Sequence, residues 1–287
     1  MKYAVLGAAG QLGRDLVPRL PGPVVALTHD QADLTRPQTL AAVLDQHRPD
    51  VVINCAAYNF VDRAEQEPEA AFAVNVWGVR ALAEQCAKLG CALVHFSTDY
   101  VFGLDGARRT PFAETDAPGP LGVYGLGKLA GEYSVRGICL RHFVIRTCGL
   151  YGVWGSGGKG GNFVETMLRA AGQGKPLRVV DNQVCTPSYT VDVAAAAVAL
   201  LETGRYGLYH VTNAGACSWY EFARSIFEEA GTQADLTPIS SKQYGAAARR
   251  PPYSVLDTGA WQAATGGRLR PWREALAAYL EERRHKA

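Results

Sequence analysis

The 287-residue sequence predicts an α/β protein built on a doubly wound parallel sheet, with a smaller C-terminal α/β lobe. Three observations carry that expectation. The chain opens on a short apolar run, Tyr3 to Leu6, that ends at Gly7 and leads into a segment of helical period from Gln11. Apolar runs of strand length then alternate with stretches of helix length as far as residue 145, the pattern of parallel strands covered on both faces. Beyond residue 151 the rhythm loosens, and Gly152 to Gly161 holds six glycines, more than a core element carries.

Each element follows from its residues. Tyr3 to Leu6 reads as a buried strand, and Gln11 to Leu20 as a helix stopped by Pro21-Gly22-Pro23. Val24 to Leu27 is a second strand and Leu40 to His47 a second helix; Pro49 leads into a third strand over 50–54. Glu69 to Leu89 keeps one long helical period, with Val74, Val76, Leu82 and Ala83 on its apolar side. Ala92 to Phe96 is a fourth strand and 99–123 a loop rich in Gly, Pro and Asp. Tyr124 to Val135 is helical, and Ile138 to Ile145 reads as another strand. In the second half Phe163 to Ala171 and Val191 to Leu201 are helical, and Tyr206 to Val211 is a strand. Ser218-Trp219-Tyr220-Glu221 has the Ser-x-x-Glu capping pattern and opens a helix to Glu229, and Trp272 to Glu282 is amphipathic. The expected division is a dinucleotide-binding domain over 1–150, to which segments around 186–213 return, and a substrate lobe over 151–287.

Composition excludes several classes. Hydrophobic residues at 48% and charged residues at 20% are an ordinary globular balance, and a net charge of +2 gives no polyanion-binding surface. The densest charge run, Glu281 to Lys286, mixes both signs, so no nucleic-acid partner is expected. Seven cysteines are an odd number without metal-type spacing, Cys86 and Cys91 read as small buried hydrophobes, and no metal site is expected. Met1 to Leu6 runs straight into the glycine turn, leaving no room for a signal peptide, and no apolar run has membrane-spanning length. The expected setting is a reducing cytoplasm, away from membranes.

Gly7-Ala8-Ala9-Gly10-Gln11-Leu12-Gly13 meets the requirements of a pyrophosphate cradle in a Rossmann fold. Gly7 permits the tight turn, Gly10 the approach of backbone to phosphate, and Gly13 close packing of helix on strand. At the end of the second strand an acid would hold a ribose 2′-OH, but this chain reads Leu27-Thr28-His29-Asp30. Thr28 and His29 tolerate a 2′-phosphate, whereas Asp30 can reach a free ribose; the expected coenzyme is NADPH, with NADH left open. Asp33-Leu34 falls where an adenine ring would be met, and the small residues of Asn54-Cys55-Ala56-Ala57-Tyr58 let backbone lie against the cofactor.

Tyr124 and Lys128 stand four residues apart, on one face of a helix. Reduction of a ketone needs a hydride and a proton, and a free tyrosine with a pKa near ~10 exchanges its proton poorly at neutral pH. A nearby ammonium is expected to lower that value, and Lys128 can also hydrogen-bond a nicotinamide ribose. Ser97-Thr98-Asp99-Tyr100 ends the fourth strand, where open parallel sheets meet their ligands, and Ser97 or Thr98 can donate to a substrate carbonyl.

These residues resemble the extended short-chain dehydrogenase/reductase superfamily, and in detail the dTDP-4-dehydrorhamnose reductase family. The resemblance spans nearly the whole chain: Gly7-x-x-Gly10-Gln11-Leu12-Gly13, Asn54-Cys55-Ala56-Ala57-Tyr58, Val61-Asp62-x-Ala64-Glu65, Ser97-Thr98-Asp99-Tyr100-Val101-Phe102 and Tyr124-Gly125-x-x-Lys128-x-x-Gly131-Glu132. Asn162-Phe163-Val164, Asp181-x-Gln183, Thr186-Pro187, Ser218-Trp219-Tyr220-Glu221-Phe222-Ala223 and Arg250-Pro251-x-x-Ser254-x-Leu256 continue it. It implies a catalytic triad of Thr98, Tyr124 and Lys128 and reduction by NAD(P)H of the 4-keto group of a dTDP-linked 6-deoxyhexulose, giving dTDP-L-rhamnose. It adds Asn75 and Ser97 to the cofactor set, and Val61, Asp99, Tyr100, Asn162 and Arg250 to the substrate set. Arg250 suits a nucleotide diphosphate, with a salt-bridging arginine as the alternative.

Two departures stand out. The family reads Arg-Thr-Ser-Trp where this chain reads Arg146-Thr147-Cys148-Gly149, so an aromatic wall for the sugar is missing unless Trp154 supplies it; Trp154 as a lobe-packing residue is the alternative. Some relatives dimerise around magnesium held by glutamates; this chain offers Asp15 and Val191 there, so a monomer or weak homodimer without a metal bridge is expected. Two other readings fit the fold: an epimerase or dehydratase that recycles hydride through retained NAD+, and a non-catalytic dinucleotide-binding subunit.

Overall fold

The computed structural model describes residues 1–155 and 161–286. Strand β1 (Tyr3–Leu6) is followed by α1 (Gln11–Leu16), β2 (Val24–Leu27), α2 (Pro37–His47) and β3 (Val51–Asn54). Helix α1 is shorter than its apolar period suggests, because Pro18 has no N–H to donate and Val17–Arg19 tighten into a 3-10 turn. Helix α2 begins three residues before the expected start, at Pro37, where a missing N–H costs nothing.

After a short helix α3 (Val61–Ala64), the stretch read as one helix is three pieces: α4 (Pro68–Phe72), a π-helical segment Ala73–Gly78, and α5 (Val79–Leu89). β4 (Ala92–Thr98) is two residues longer than expected and buried throughout. α6 (Val123–Ile138) keeps Ile138, and β5 (His142–Thr147) starts only after it. The expected strand start at Ile138 is therefore corrected: Ile138 and Cys139 pack into the core at the helix end, while Leu140 is 88% exposed.

In the second half come β6 (Leu150–Tyr151), α7 (Phe163–Gly172), β7 (Leu177–Val180), β8 (Val184–Cys185), β9 (Ser188–Tyr189), α8 (Thr190–Thr203), β10 (Gly207–His210) and β11 (Cys217–Ser218). α9 (Trp219–Ala230), β12 (Leu236–Ile239), α10 (Ser241–Tyr244), α11 (Gly259–Thr265) and α12 (Trp272–Lys286) complete the chain. The Ser218–Glu221 capping box is formed in both directions.

Six parallel strands make the central sheet in the order β10-β5-β4-β3-β1-β2. One face is sealed by α1, α8 and Trp261 of α11 against Val5, Ile53 and Phe143, the other by α2, α5 and the end of α6 against Leu6, Val52 and Val144. A separate core of Tyr151, Phe222, Trp272 and Tyr279 gathers α7, α9 and α12. β2 and β3 flank β1 on opposite sides, so the chain diverges at the carboxyl ends of β1 and β3, where ligands of such sheets bind. No helix among the described residues is long and apolar enough to cross a membrane.

Candidate active site

The glycine turn closes as its sequence requires. Gly7 has φ +71°, and a Cβ there would meet the Ala56 nitrogen at 2.9 Å, so the turn lies directly on the backbone after β3. Gly10 N–H donates to the Gly7 carbonyl at 2.9 Å, and no side chain caps the start of α1. A Cβ on Gly13 would collide with the Gly7 carbonyl and stand 2.8 Å from the Ala8 Cα. Gly13→Val is therefore expected to abolish dinucleotide binding, measured by fluorescence titration with NADPH; retained affinity would mean that the turn is not the cradle. Leu12 is buried behind the turn, and Gln11 donates to the Leu150 carbonyl at 3.2 Å.

Around β2, Thr28 bonds Gln31 through its N–H and hydroxyl, and His29 stands exposed, 3.8 Å from Asp33. Burial opposes charge on Asp33, but the N–H and hydroxyl of Thr35, with His29 and Arg36, outweigh it and hold the carboxyl below its ordinary value. Arg36, 3.5 Å from Asp33, is a cation on this rim that sequence reading passed over. Leu34 is buried, its carbonyl against Gly78. After β3, the Asn54 Oδ1 accepts from Ala56 N–H at 3.0 Å, and Asn75 clamps Tyr58 through both its N–H (3.0 Å) and carbonyl (2.8 Å). Asn75 lies in the π-helical segment. Cys55 and Ala57 stand beside these, part of the wall facing the glycine turn.

Thr98, Tyr124 and Lys128 come together at the carboxyl end of β4. The Thr98 hydroxyl donates to Asp99 Oδ1 at 3.1 Å, accepts from Tyr100 N–H at 3.2 Å, and lies near enough to the Tyr124 hydroxyl to favour its ionised form. The Tyr100 and Tyr124 rings meet edge to face, centroids 5.9 Å apart. One turn along α6, Lys128 is buried, and its Nζ donates to the Phe96 carbonyl at 2.6 Å. Burial pulls Lys128 down to about 8 against the raising influence of Glu132. Burial pushes the Tyr124 phenol up to about 12, Thr98 opposing and Asp99 adding to it. In the protein alone, desolvation outweighs the other influences on the phenol.

Beneath the pair lies a buried ionic floor. Arg146 grips Glu132 with two bonds, at 2.9 and 2.7 Å, and the Ser97 hydroxyl donates to the same carboxylate at 2.5 Å. The Ser97 hydroxyl thus faces inward to Glu132. The Asp99 Oδ2 accepts from Ser254 at 2.6 Å and from the Cys148 thiol at 3.1 Å. Burial pushes it up to about 6 in spite of those donors.

Val61, Tyr100 and Tyr124 line one crevice with Gly122, Arg249 and Pro251. Arg250 forms a two-bond pair with Asp62, at 3.0 and 2.7 Å. Asn162 caps α7, accepting from Glu165 N–H, and its amide donates to Gln11 and to the Gly152 carbonyl. Trp154 donates to Asp15 at 2.9 Å, with Arg14 and Lys286 over its ring. These are the contacts the lobe-packing alternative calls for. Gly149, at φ +52°, leaves its side-chain position against Pro187 and the edge of the Trp219 ring. Three of the six glycines of 152–161, Gly157, Gly158 and Gly160, lie outside the described residues.

The whole chain has relatives. The family described as RmlD substrate binding domain matches residues 1–285. A dTDP-4-dehydrorhamnose reductase of Mycobacterium tuberculosis is 42% identical over 287 residues, covering 97% of this chain and 92% of that protein. A dTDP-4-keto-6-deoxy-D-glucose reductase of Streptomyces niveus is 40% identical over 280 residues, covering 96% and 95%. The crystal structure of dTDP-4-dehydrorhamnose reductase from Bacillus anthracis in complex with NADP superposes with a TM-score of 0.92 at 35% identity, covering 98% of this chain and 99% of that one. Sequence, topology and extent agree: the chain belongs to the RmlD substrate binding domain family.

Proposed function

We propose that this protein reduces the 4-keto group of a dTDP-linked 6-deoxysugar, dTDP-4-dehydrorhamnose to dTDP-L-rhamnose, at the expense of NADPH. The observation that carries the reading is the meeting of Thr98, Tyr124 and Lys128 at one strand end, in a chain whose relatives bear reductase names. The glycine turn fits a dinucleotide: at Gly7 and Gly13 a Cβ would fill the space against backbone. Gly7, Gly10 and Gly13 would admit the pyrophosphate, and Thr28, His29 and Arg36 give a rim that suits a 2′-phosphate. The wall from Cys55 to Tyr58, steadied by Asn75, would face the nicotinamide side. Bound there, the coenzyme supplies a hydride to the sugar C4.

The protein's part is the proton. A phenol held up to about 12 is fully protonated at neutral pH, the form a donor needs in the reducing direction. Thr98 would hold the carbonyl oxygen as charge develops, and Tyr124 would give that oxygen its proton. The phenolate left behind is supported by Lys128 and regains a proton from water. Val61 and Tyr100 would border the sugar. The C-terminal unit over 151–287 would hold the nucleotide.

We place the protein in the cytoplasm, supported by seven free cysteines, and as a monomer or weak homodimer. The Asp15 carboxylate is engaged by Trp154 and Thr190, which supports the absence of a metal bridge at that position. The test is absorbance at 340 nm with NADPH or NADH and a panel of 4-keto sugar nucleotides. Oxidation dependent on a dTDP-4-keto-6-deoxysugar, faster with NADPH, is expected. A purified protein that oxidises neither coenzyme but retains stoichiometric NAD+ would instead be an epimerase or dehydratase.

A further inference from the structure

Behind Lys128 lies a second polar residue that the proposed reaction does not use. His95 is fully buried in β4, on the face turned to α6. Its Nδ1 meets the Asn54 Nδ2 at 3.1 Å, and its Nε2 stands 3.4 Å from the Lys128 Nζ. The orientation of the Asn54 amide is settled by its other end, because Oδ1 accepts from Ala56 N–H at 3.0 Å. The group facing His95 is therefore a donor, and Nδ1 must offer a lone pair. In a neutral imidazole the proton then resides on Nε2, the nitrogen that faces Lys128.

We propose that His95, locked by Asn54 as the Nε2–H tautomer, is a positioning residue for Lys128: it turns an N–H towards Nζ and leaves the Phe96 carbonyl as the lysine's acceptor. The consequence is chemical. An imidazole N–H aimed at an ammonium disfavours the charge, whereas the same N–H can be accepted by an amine. The groups facing Lys128 are Cys55 after β3, His95 of β4 and Glu132 one turn along α6, and Glu132 is held by Arg146 and Ser97. Burial, followed by the charge of Lys128, keeps His95 well below its ordinary value, so it stays neutral while the lysine titrates. Burial brings the lysine to about 8, within reach of working pH. The wall against the glycine turn is thereby linked to the catalytic helix through Ala56, Asn54, His95 and Lys128.

The tautomer assignment stands on geometry alone; its bearing on rate rests on the reductase reading. Nitrogen-15 NMR of histidine-labelled protein, with His95→Asn identifying the signal, reads the tautomer directly. Wild type is expected to show the proton on Nε2; a proton on Nδ1 would overturn the proposal. Lysine NMR, with Lys128→Arg identifying its signal, reads the titration. Removing the N–H with His95→Asn should raise the Lys128 titration by about one unit, tenfold in amine fraction at fixed pH. Asn54→Asp accepts at both ends, should move the proton to Nδ1, and should shift the lysine the same way with the ring retained. An unchanged lysine titration in either folded variant would overturn the proposal. The alkaline limb of kcat should move with the NMR shift. The NMR measurements use the protein alone, so they can fail while keto-sugar reduction is observed, and the reverse.

Discussion

Tyr124→Phe is expected to lower turnover by roughly 10²–10⁴-fold, the usual contribution of a placed proton donor. NADPH affinity and stability should hardly move. The ring keeps its contact with Tyr100, and Thr98 keeps Asp99 as acceptor and Tyr100 N–H as donor, so no polar group is orphaned. A lost hydroxyl then costs about 1 kcal/mol of stability. The comparison to make is kcat by NADPH oxidation, Kd by fluorescence and Tm by calorimetry on both proteins. Activity within tenfold of wild type would remove Tyr124 as donor. A fall in activity matched by loss of NADPH binding would point to a damaged cofactor site instead.

Arg146→Met has the largest expected effect on stability. Arg146 and Glu132 are both buried, and the pair is closed by two bonds with Ser97 donating as well. Removing the cation leaves a desolvated carboxylate, for which breaking one side of a buried pair costs about 3–5 kcal/mol. At about 2–4 °C per kcal/mol for a domain approaching this size, Tm should fall by about 10 °C. Adding Glu132→Gln removes the stranded charge and should recover part of the loss. A double variant no more stable than Arg146→Met would show that the cost lies in packing over Phe102, 5.0 Å from the guanidinium, rather than in the unpaired carboxylate.

What the sequence made legible was local. A strand running into Gly7 and a helix, and a tyrosine four residues before a lysine, are fixed by spacing alone, and both motifs form as read. Orientation across the sheet was not legible. Alternate residues of a strand share a face, so His95 and Ser97 both turn to α6, opposite Lys128 and Glu132. That depends on how the helix lies on the sheet, which no local pattern records. The π-helical segment was hidden because Ala73–Gly78 keeps an apolar period; its cause is tertiary, with the Asn75 carbonyl close to Gly131 and its side chain on Tyr58. β12 was missed because Pro238 reads as a breaker, yet it pairs with β7 alone, where a proline is tolerated at an edge. The two-residue strands β6, β8, β9 and β11 are too short to show alternation.

The account rests on hydride passing to a sugar carbon beside Tyr124. The most direct measurement uses NADPH deuterated at nicotinamide C4, in each stereospecific form, with dTDP-4-dehydrorhamnose, and locates the label in the product by NMR. One of the two forms should place a single deuterium at C4 of the sugar, in amount equal to the coenzyme oxidised. Product formed without deuterium at C4 from either form, or no product while NADPH binds, would contradict it.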